Sequence, residues 1–88
     1  MTKLTNKIIT IHERRTSMRL CHKEWCALED ICQREQMSRN DLIAMIEDSK
    51  NNRLGLAYAT RLFLLLYYKS IAHNTKRKIA PLILKELI

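Results

Sequence analysis

The stretch RRTSMRL, residues 14–20, determines how the rest of this chain is interpreted. Polar side chains at every second position, Arg15, Ser17 and Arg19, would face one side of a short strand, and Met18 and Leu20 would face the other. A strand that packs on a core must pair its backbone N–H and C=O groups. No other segment offers a convincing partner, so we expect the same strand of a second copy to complete an antiparallel ribbon across a two-fold axis.

Length and charge restrict the class of protein. The chain has 88 residues, enough for one domain, and a net charge of +7. The charge is uneven: residues 1–23 carry +5, residues 24–53 carry −3 and residues 54–88 carry +5. This distribution indicates a surface directed at a polyanion. The three cysteines lack a Cys-x-x-Cys pair, which predicts a reducing, cytoplasmic location. The longest apolar run, residues 62–68, is too short for a membrane span.

Helical periodicity replaces the strand pattern after the quoted stretch. Apolar residues recur at helical spacing over residues 22–35. Ser38, followed by Asp41 and an apolar run, predicts an N-cap and a second helix that ends near Asp48. A third helix, apolar almost all round, is predicted over residues 56–72.

These elements divide the chain into three parts. We expect a flexible arm over residues 1–13, a domain over residues 14–72, and a basic linker with an apolar tail over residues 73–88. The predicted fold class is therefore mainly α: one strand that pairs across a homodimer, three helices and a short C-terminal tail. The hydrophobic fraction of 47% is high for a soluble surface, so part of it should be buried between subunits. The predicted dimer core consists of Met18, Leu20, Trp25, Leu28, Leu42, Ile43, Ile46, Leu62, Phe63 and Leu66.

The order of these motifs resembles the ribbon-helix-helix superfamily, whose β-ribbon readers of DNA include Arc and MetJ. RRTSMRL, MSRNDLIAMIE and LAYATRLFLLLYY carry the likeness over residues 14–69, which is closest to a small bacterial group with a third, apolar helix. The resemblance implies a homodimer that places its ribbon in the major groove of double-stranded DNA and acts as a transcriptional regulator, such as a repressor. The junction Cys21–His22 departs from the Pro or acidic residue common there, which leaves the start of the first helix open.

The resemblance assigns the base contacts to three alternate residues of the strand, Arg15, Ser17 and Arg19. Arginine can bind guanine through O6 and N7, and serine can donate or accept a hydrogen bond. A solvated strand face is the alternative, because arginine by itself does not distinguish groove reading from phosphate binding.

The resemblance assigns a backbone phosphate to the start of the second helix, at Ser38, Arg39 and Asn40. Free N–H groups and the helix dipole attract an anion at such a helix end. Arg39 adds positive charge there, and Asp41 subtracts some.

Other functions have weaker support in the sequence. A Gly-rich phosphate loop and a nucleophile elbow are absent, so we expect no enzyme and no cofactor. Cys21, His22 and Cys26 suggest zinc, but a fourth ligand is missing. The alternative function is an antitoxin-like interaction module that binds another protein through residues 79–88, although antitoxin tails tend to be long and acidic. Assembly beyond a dimer stays open.

Overall fold

We describe a computed structural model of the chain over residues 3–72 and 79–87. Two strands precede the helices, and the predicted mainly α class with an N-terminal ribbon is confirmed. Each of the three predicted helices lies within one residue of its expected bounds. The predicted basic linker, residues 73–78, lies outside the described residues. The elements are β1 (Leu4–Ile11), β2 (Arg14–Cys21), α1 (His22–Glu35), α2 (Arg39–Ser49), α3 (Leu56–Ile71), α4 (Ala80–Leu84) and a 3-10 turn (Lys85–Leu87).

Strand β2 pairs with β1 of the same chain. The antiparallel register runs from Ile11 opposite Arg14 to Leu4 opposite Cys21. The prediction that this strand pairs across a homodimer is therefore wrong, and residues 4–11 form a strand where a flexible arm was expected. The two strands are connected by the dipeptide His12–Glu13. Asn-Gly and Asp-Gly are the dipeptides that indicate a two-residue hairpin turn in a sequence, so this turn was not predicted.

The turn between the strands consists of two residues in the left-handed region. His12 has φ of 49° and Glu13 has φ of 67°. Positive φ at both central residues is the requirement of the type I′ turn, whose twist matches that of the strands it joins. The imidazole Nε2 of His12 lies 2.8 Å from the Asp48 carboxylate, which ties the turn to the last turn of α2.

One hydrophobic core joins the inner face of the hairpin to the helices. Eight of the ten residues predicted for the dimer core are buried within the single chain, and Leu62 and Leu66 are half-buried. Their burial therefore needs no second copy. Helix α3 is apolar almost all round, yet the single chain does not enclose it, since Tyr58 is 60% and Leu65 is 65% exposed. No described helix has both the length and the apolar character needed to cross a membrane.

The C-terminal tail belongs to the core. Five of its residues are buried, and the backbone N–H of Asn51 donates a 3.0 Å hydrogen bond to the carbonyl of Leu87. Leu82 stays half exposed, and Ile88 lies outside the described residues. Most of the apolar side chains that suggested a docking segment for another protein are thus buried within the chain itself. This burial removes the support for the antitoxin-like alternative. The buried tail residues are Ile79, Ala80, Ile83, Leu84 and Leu87.

Candidate nucleic-acid interface

The outer face of the hairpin carries the residues predicted to contact bases. Arg15, Ser17 and Arg19 are all exposed and lie on the face of β2 opposite to the buried Met18 and Leu20. The alternation arises because successive side chains of a strand point to opposite sides of the sheet. The sheet has only two strands, and a ribbon of that width can enter the major groove of B-DNA.

Strand β1 adds residues to this face that sequence reasoning missed. Asn6, Ile8 and Thr10 are exposed, whereas Ile9 and Ile11 are buried. The signal that could have found them is the period of two in NKIITI, but two consecutive isoleucines blur it. In the register, Asn6 lies opposite Arg19, Ile8 opposite Ser17 and Thr10 opposite Arg15.

Glu24 stabilises the junction of β2 and α1. The sequence Cys21–His22 had left the start of the first helix open, and the structure places that start at His22. The carboxylate of Glu24 accepts a 2.8 Å hydrogen bond from the backbone N–H of Cys21 and a 3.0 Å bond from Nε of Arg61 on α3. Burial acts to raise the pKa of Glu24, but the hydrogen bonds from Cys21 and the Arg61 guanidinium outweigh it and lower that pKa below 4.5. A carboxylate at the third position of a helix therefore fixes the direction in which α1 leaves the ribbon.

The start of α2, predicted to bind a phosphate, is capped by its own sequence. Ser38 Oγ accepts a 3.1 Å hydrogen bond from the backbone N–H of Asp41, as expected for an N-cap. Asn40 is exposed, and Arg39 is half-buried. The structure thus brings Ser38, Arg39 and Asn40 together at one helix end, with part of Arg39 turned towards the protein.

Trp25 holds this helix end beside the ribbon. Its indole Nε1 donates a 2.9 Å hydrogen bond to the backbone carbonyl of Thr5 on β1. The cationic groups of Lys7 and Arg39 each lie 5.5 Å from the centre of its ring, within the range of a cation–π contact. Nε of Arg39 is buried and has no hydrogen-bond partner among the described residues. Trp25 is buried in the core of the single chain, and it also gathers two positive charges next to β1.

A cleft of about 480 Å³ separates β1 from α2. Thr10 and His12 line it from the hairpin, and Asn40, Asp41 and Asp48 line it from the helix. Two carboxylates in this cleft make it a poor place for a phosphate. The exposed arginines of the outer face and the positive charges around Trp25 are therefore the parts of this region suited to a polyanion.

The cysteines that suggested zinc do not form a cluster of ligands. Cys26 Sγ lies 3.5 Å from Nε2 of His22. Over residues 3–72 and 79–87, no group of three or more His, Cys, Asp or Glu side chains is arranged to hold a metal ion. Burial and the charge of Glu29 raise the pKa of Cys32 to about 11, so this thiol stays protonated near neutral pH.

Comparison with known proteins identifies the architecture. A family profile described as ribbon-helix-helix domain matches residues 4–68. Searches of curated proteins and of solved structures gave no match. The matched span begins ten residues before the likeness seen in the sequence, and it includes β1 as well as β2, α1, α2 and most of α3. Because it covers well over half of the chain, this protein belongs to the ribbon-helix-helix domain family, a family of DNA-binding regulators.

Proposed function

We propose that this protein regulates transcription by inserting its hairpin into the major groove of double-stranded DNA. The observation that carries the proposal is the outer face of the ribbon, where Arg15, Ser17 and Arg19 are exposed at alternate positions. Arginine can bind guanine through two hydrogen bonds in that groove, and serine can bond either donors or acceptors. The core is formed by side chains on the opposite face of the ribbon. These three residues can therefore contact DNA without any disruption of the core.

A phosphate at the start of α2 would set the depth and register of the ribbon. Ser38, Arg39 and Asn40 supply the helix end, and the Trp25 contacts hold that end beside β1. Contacts to phosphates position a protein on DNA, whereas contacts to base edges provide specificity. The two groups of residues thus have complementary parts in the proposed complex.

A homodimer in the bacterial cytoplasm, acting as a repressor, completes the proposal. Its support is family membership, together with the exposed apolar side chains of Tyr58 and Leu65 on α3. Two copies would present two hairpins to grooves about one helical turn of DNA apart. The three free cysteines fit a reducing compartment. Sedimentation equilibrium of the purified protein, with and without DNA, measures the mass that this part of the proposal predicts.

The test of DNA reading is selection of bound fragments from random DNA by the purified protein, followed by affinity measurements on the selected site. Arg19→Ala should cost about 1–3 kcal/mol on that site and relax the preference at one position. Arg53→Ala, which removes the same charge from an exposed loop position, is the matched control and should leave the preference unchanged. Binding of selected and random DNA with equal affinity by the wild-type protein would overturn the proposal.

A further inference from the structure

We propose that β1 is a second reading strand, so that a single chain carries a complete and asymmetric reader of base pairs. Asn6, Ile8 and Thr10 would contact bases beside the residues of β2. This inference rests on the proposed function, and it goes beyond it by assigning base contacts to a strand that the sequence resemblance did not include.

The pairing register of β1 with β2, together with the exposure of their side chains, would place residues of both strands next to the same bases. Asn6 is paired with Arg19, and Ile8 with Ser17. Side chains directly opposite each other in an antiparallel pair have Cβ atoms about 4.5–5.5 Å apart. All four side chains are exposed on the face opposite to the core. A duplex that approaches closely enough for Arg19 to reach a base edge therefore also meets Asn6.

The side chains of β1 have the chemistry of base recognition. The amide of asparagine binds adenine through N6 and N7, as arginine binds guanine through O6 and N7. The adjacent Asn6 and Arg19 thus favour neighbouring adenine and guanine in one groove. Ile8 is 58% exposed on this face, between the polar residues Asn6 and Thr10 of the same strand. Contact with the C5-methyl group of thymine would cover it, because apolar side chains recognise that methyl group in the major groove.

Asymmetry distinguishes this reader from a ribbon formed by two copies of one strand. Two identical strands related by a two-fold axis present the same side chains twice, so they favour a symmetric sequence within one groove. The hairpin presents LTNKIITI on one strand and RRTSMRLC on the other. The bases under one hairpin should therefore lack two-fold symmetry, and a palindrome would arise only from two hairpins whose half-sites lie about 10 base pairs apart or a multiple of that.

The experiment repeats the selection from random DNA with Asn6→Ala and with Asn52→Ala, which makes the same change at an exposed position outside the hairpin. Asn6→Ala should lose one adenine preference per hairpin and bind the selected site about tenfold more weakly. Its affinity for random DNA should stay within about twofold of wild type, since the side chain is uncharged. Asn52→Ala should behave as wild type in both respects.

Ile8 is tested by changing the DNA as well as the protein. Replacing thymine by uracil in the selected site removes the C5-methyl group and leaves base pairing intact. Wild-type protein should bind the uracil site several-fold more weakly, whereas Ile8→Ala should bind both sites equally. The wild-type comparison stays decisive even if the variant folds poorly, because it requires no change in the protein.

The outcomes separate the two proposals. If the wild-type protein selects no sequence, the proposed function fails. If it selects a sequence that Arg19→Ala alters, while Asn6→Ala keeps the wild-type preference and uracil binds as well as thymine, the proposed function stands and the role of β1 is refuted. A selected sequence with two-fold symmetry centred within a single groove would also refute the asymmetric reader.

Discussion

The carboxylate of Glu35, at the end of α1, accepts a 2.6 Å hydrogen bond from the phenol of Tyr67 on α3. The same carboxylate accepts hydrogen bonds from the backbone N–H groups of Ile79 at 3.2 Å and Ala80 at 3.4 Å, where α4 begins. Glu35 is only 7% exposed. One buried carboxylate thus joins the C-terminal tail to two helices of the core, and it satisfies backbone donors that the start of a helix leaves free.

Glu35→Gln should release the tail. An amide offers one acceptor oxygen and no charge, so the bonds from Tyr67 and from the tail backbone cannot all persist. We expect a loss of about 1–3 kcal/mol in the free energy of unfolding, measured in urea, and faster hydrogen exchange in residues 79–87. Glu29→Gln makes the same change on the exposed side of α1 and should alter neither quantity. Unchanged exchange of the tail amides would show that Glu35 does not hold them.

Tyr67 makes the fold sensitive to alkali. Burial raises its pKa above the ordinary value of 10.0, and the hydrogen bond to Glu35 and its charge raise it further. A raised folded-state pKa contributes stability below pH 10.0 that is lost as the pH rises from there towards the folded-state value. The difference in unfolding free energy between wild type and Tyr67→Phe should therefore shrink above pH 10.0. A difference that is constant across that range would contradict the argument.

The hairpin turn is strained, and relieving it should stabilise the protein. Glu13 adopts a φ of 67°, a region that costs an L-residue roughly 1–2 kcal/mol and glycine almost nothing. Glu13→Gly should raise the free energy of unfolding by about 1 kcal/mol. The same substitution at Glu29, inside α1, should lower it by about 1 kcal/mol. Thermal unfolding followed by circular dichroism compares the two variants, and the same sign for both would be inconsistent with the turn geometry.

Glu24 predicts a loss of stability in acid. Its pKa lies below the ordinary value of 4.5, because hydrogen bonds from Cys21 and Arg61 outweigh the effect of burial. A depressed folded-state pKa contributes stability above pH 4.5 that is lost as the pH falls through the folded-state value. Both side chains of the Glu24–Arg61 pair are partly exposed, so the pair itself should contribute no more than about 1 kcal/mol. Urea unfolding of wild type and Glu24→Gln should differ near neutral pH, and the difference should shrink as the pH falls from 4.5 through the folded-state pKa.

Ser38→Asp tests the proposed phosphate contact without removing the cap. Aspartate is as good an N-cap as serine, so the melting temperature should stay close to that of wild type. Its negative charge should repel a phosphate at the start of α2 and weaken binding to all DNA sequences alike. Gln33→Glu adds the same charge on the exposed side of α1 and serves as the control. Unchanged affinity of Ser38→Asp at low salt would place the phosphate elsewhere.

The amino-acid sequence alone determined the three long helices and the polar side of β2. The bounds of α1, α2 and α3 follow from apolar residues at helical spacing and from the cap at Ser38, and Arg15, Ser17 and Arg19 share an exposed face because strand side chains alternate. These features are local, since each depends on residues within one or two turns or a few positions of a strand. The side chains that β2 exposes to solvent could therefore be identified from the sequence alone, without knowing which strand pairs with β2.

Only the tertiary structure decided what β2 pairs with and where the tail lies. Strand pairing is made by backbone groups that every residue shares, so side chains indicate it only through the turn, and His12–Glu13 is an atypical pair for a type I′ turn. Asn6, Ile8 and Thr10 became candidates only once the register placed them opposite the polar residues of β2. The hydrogen bonds of Glu35 also depend on the tertiary structure. Its donors Tyr67, Ile79 and Ala80 lie 32 to 45 residues away along the chain, and the packing of the helices brings them to one carboxylate.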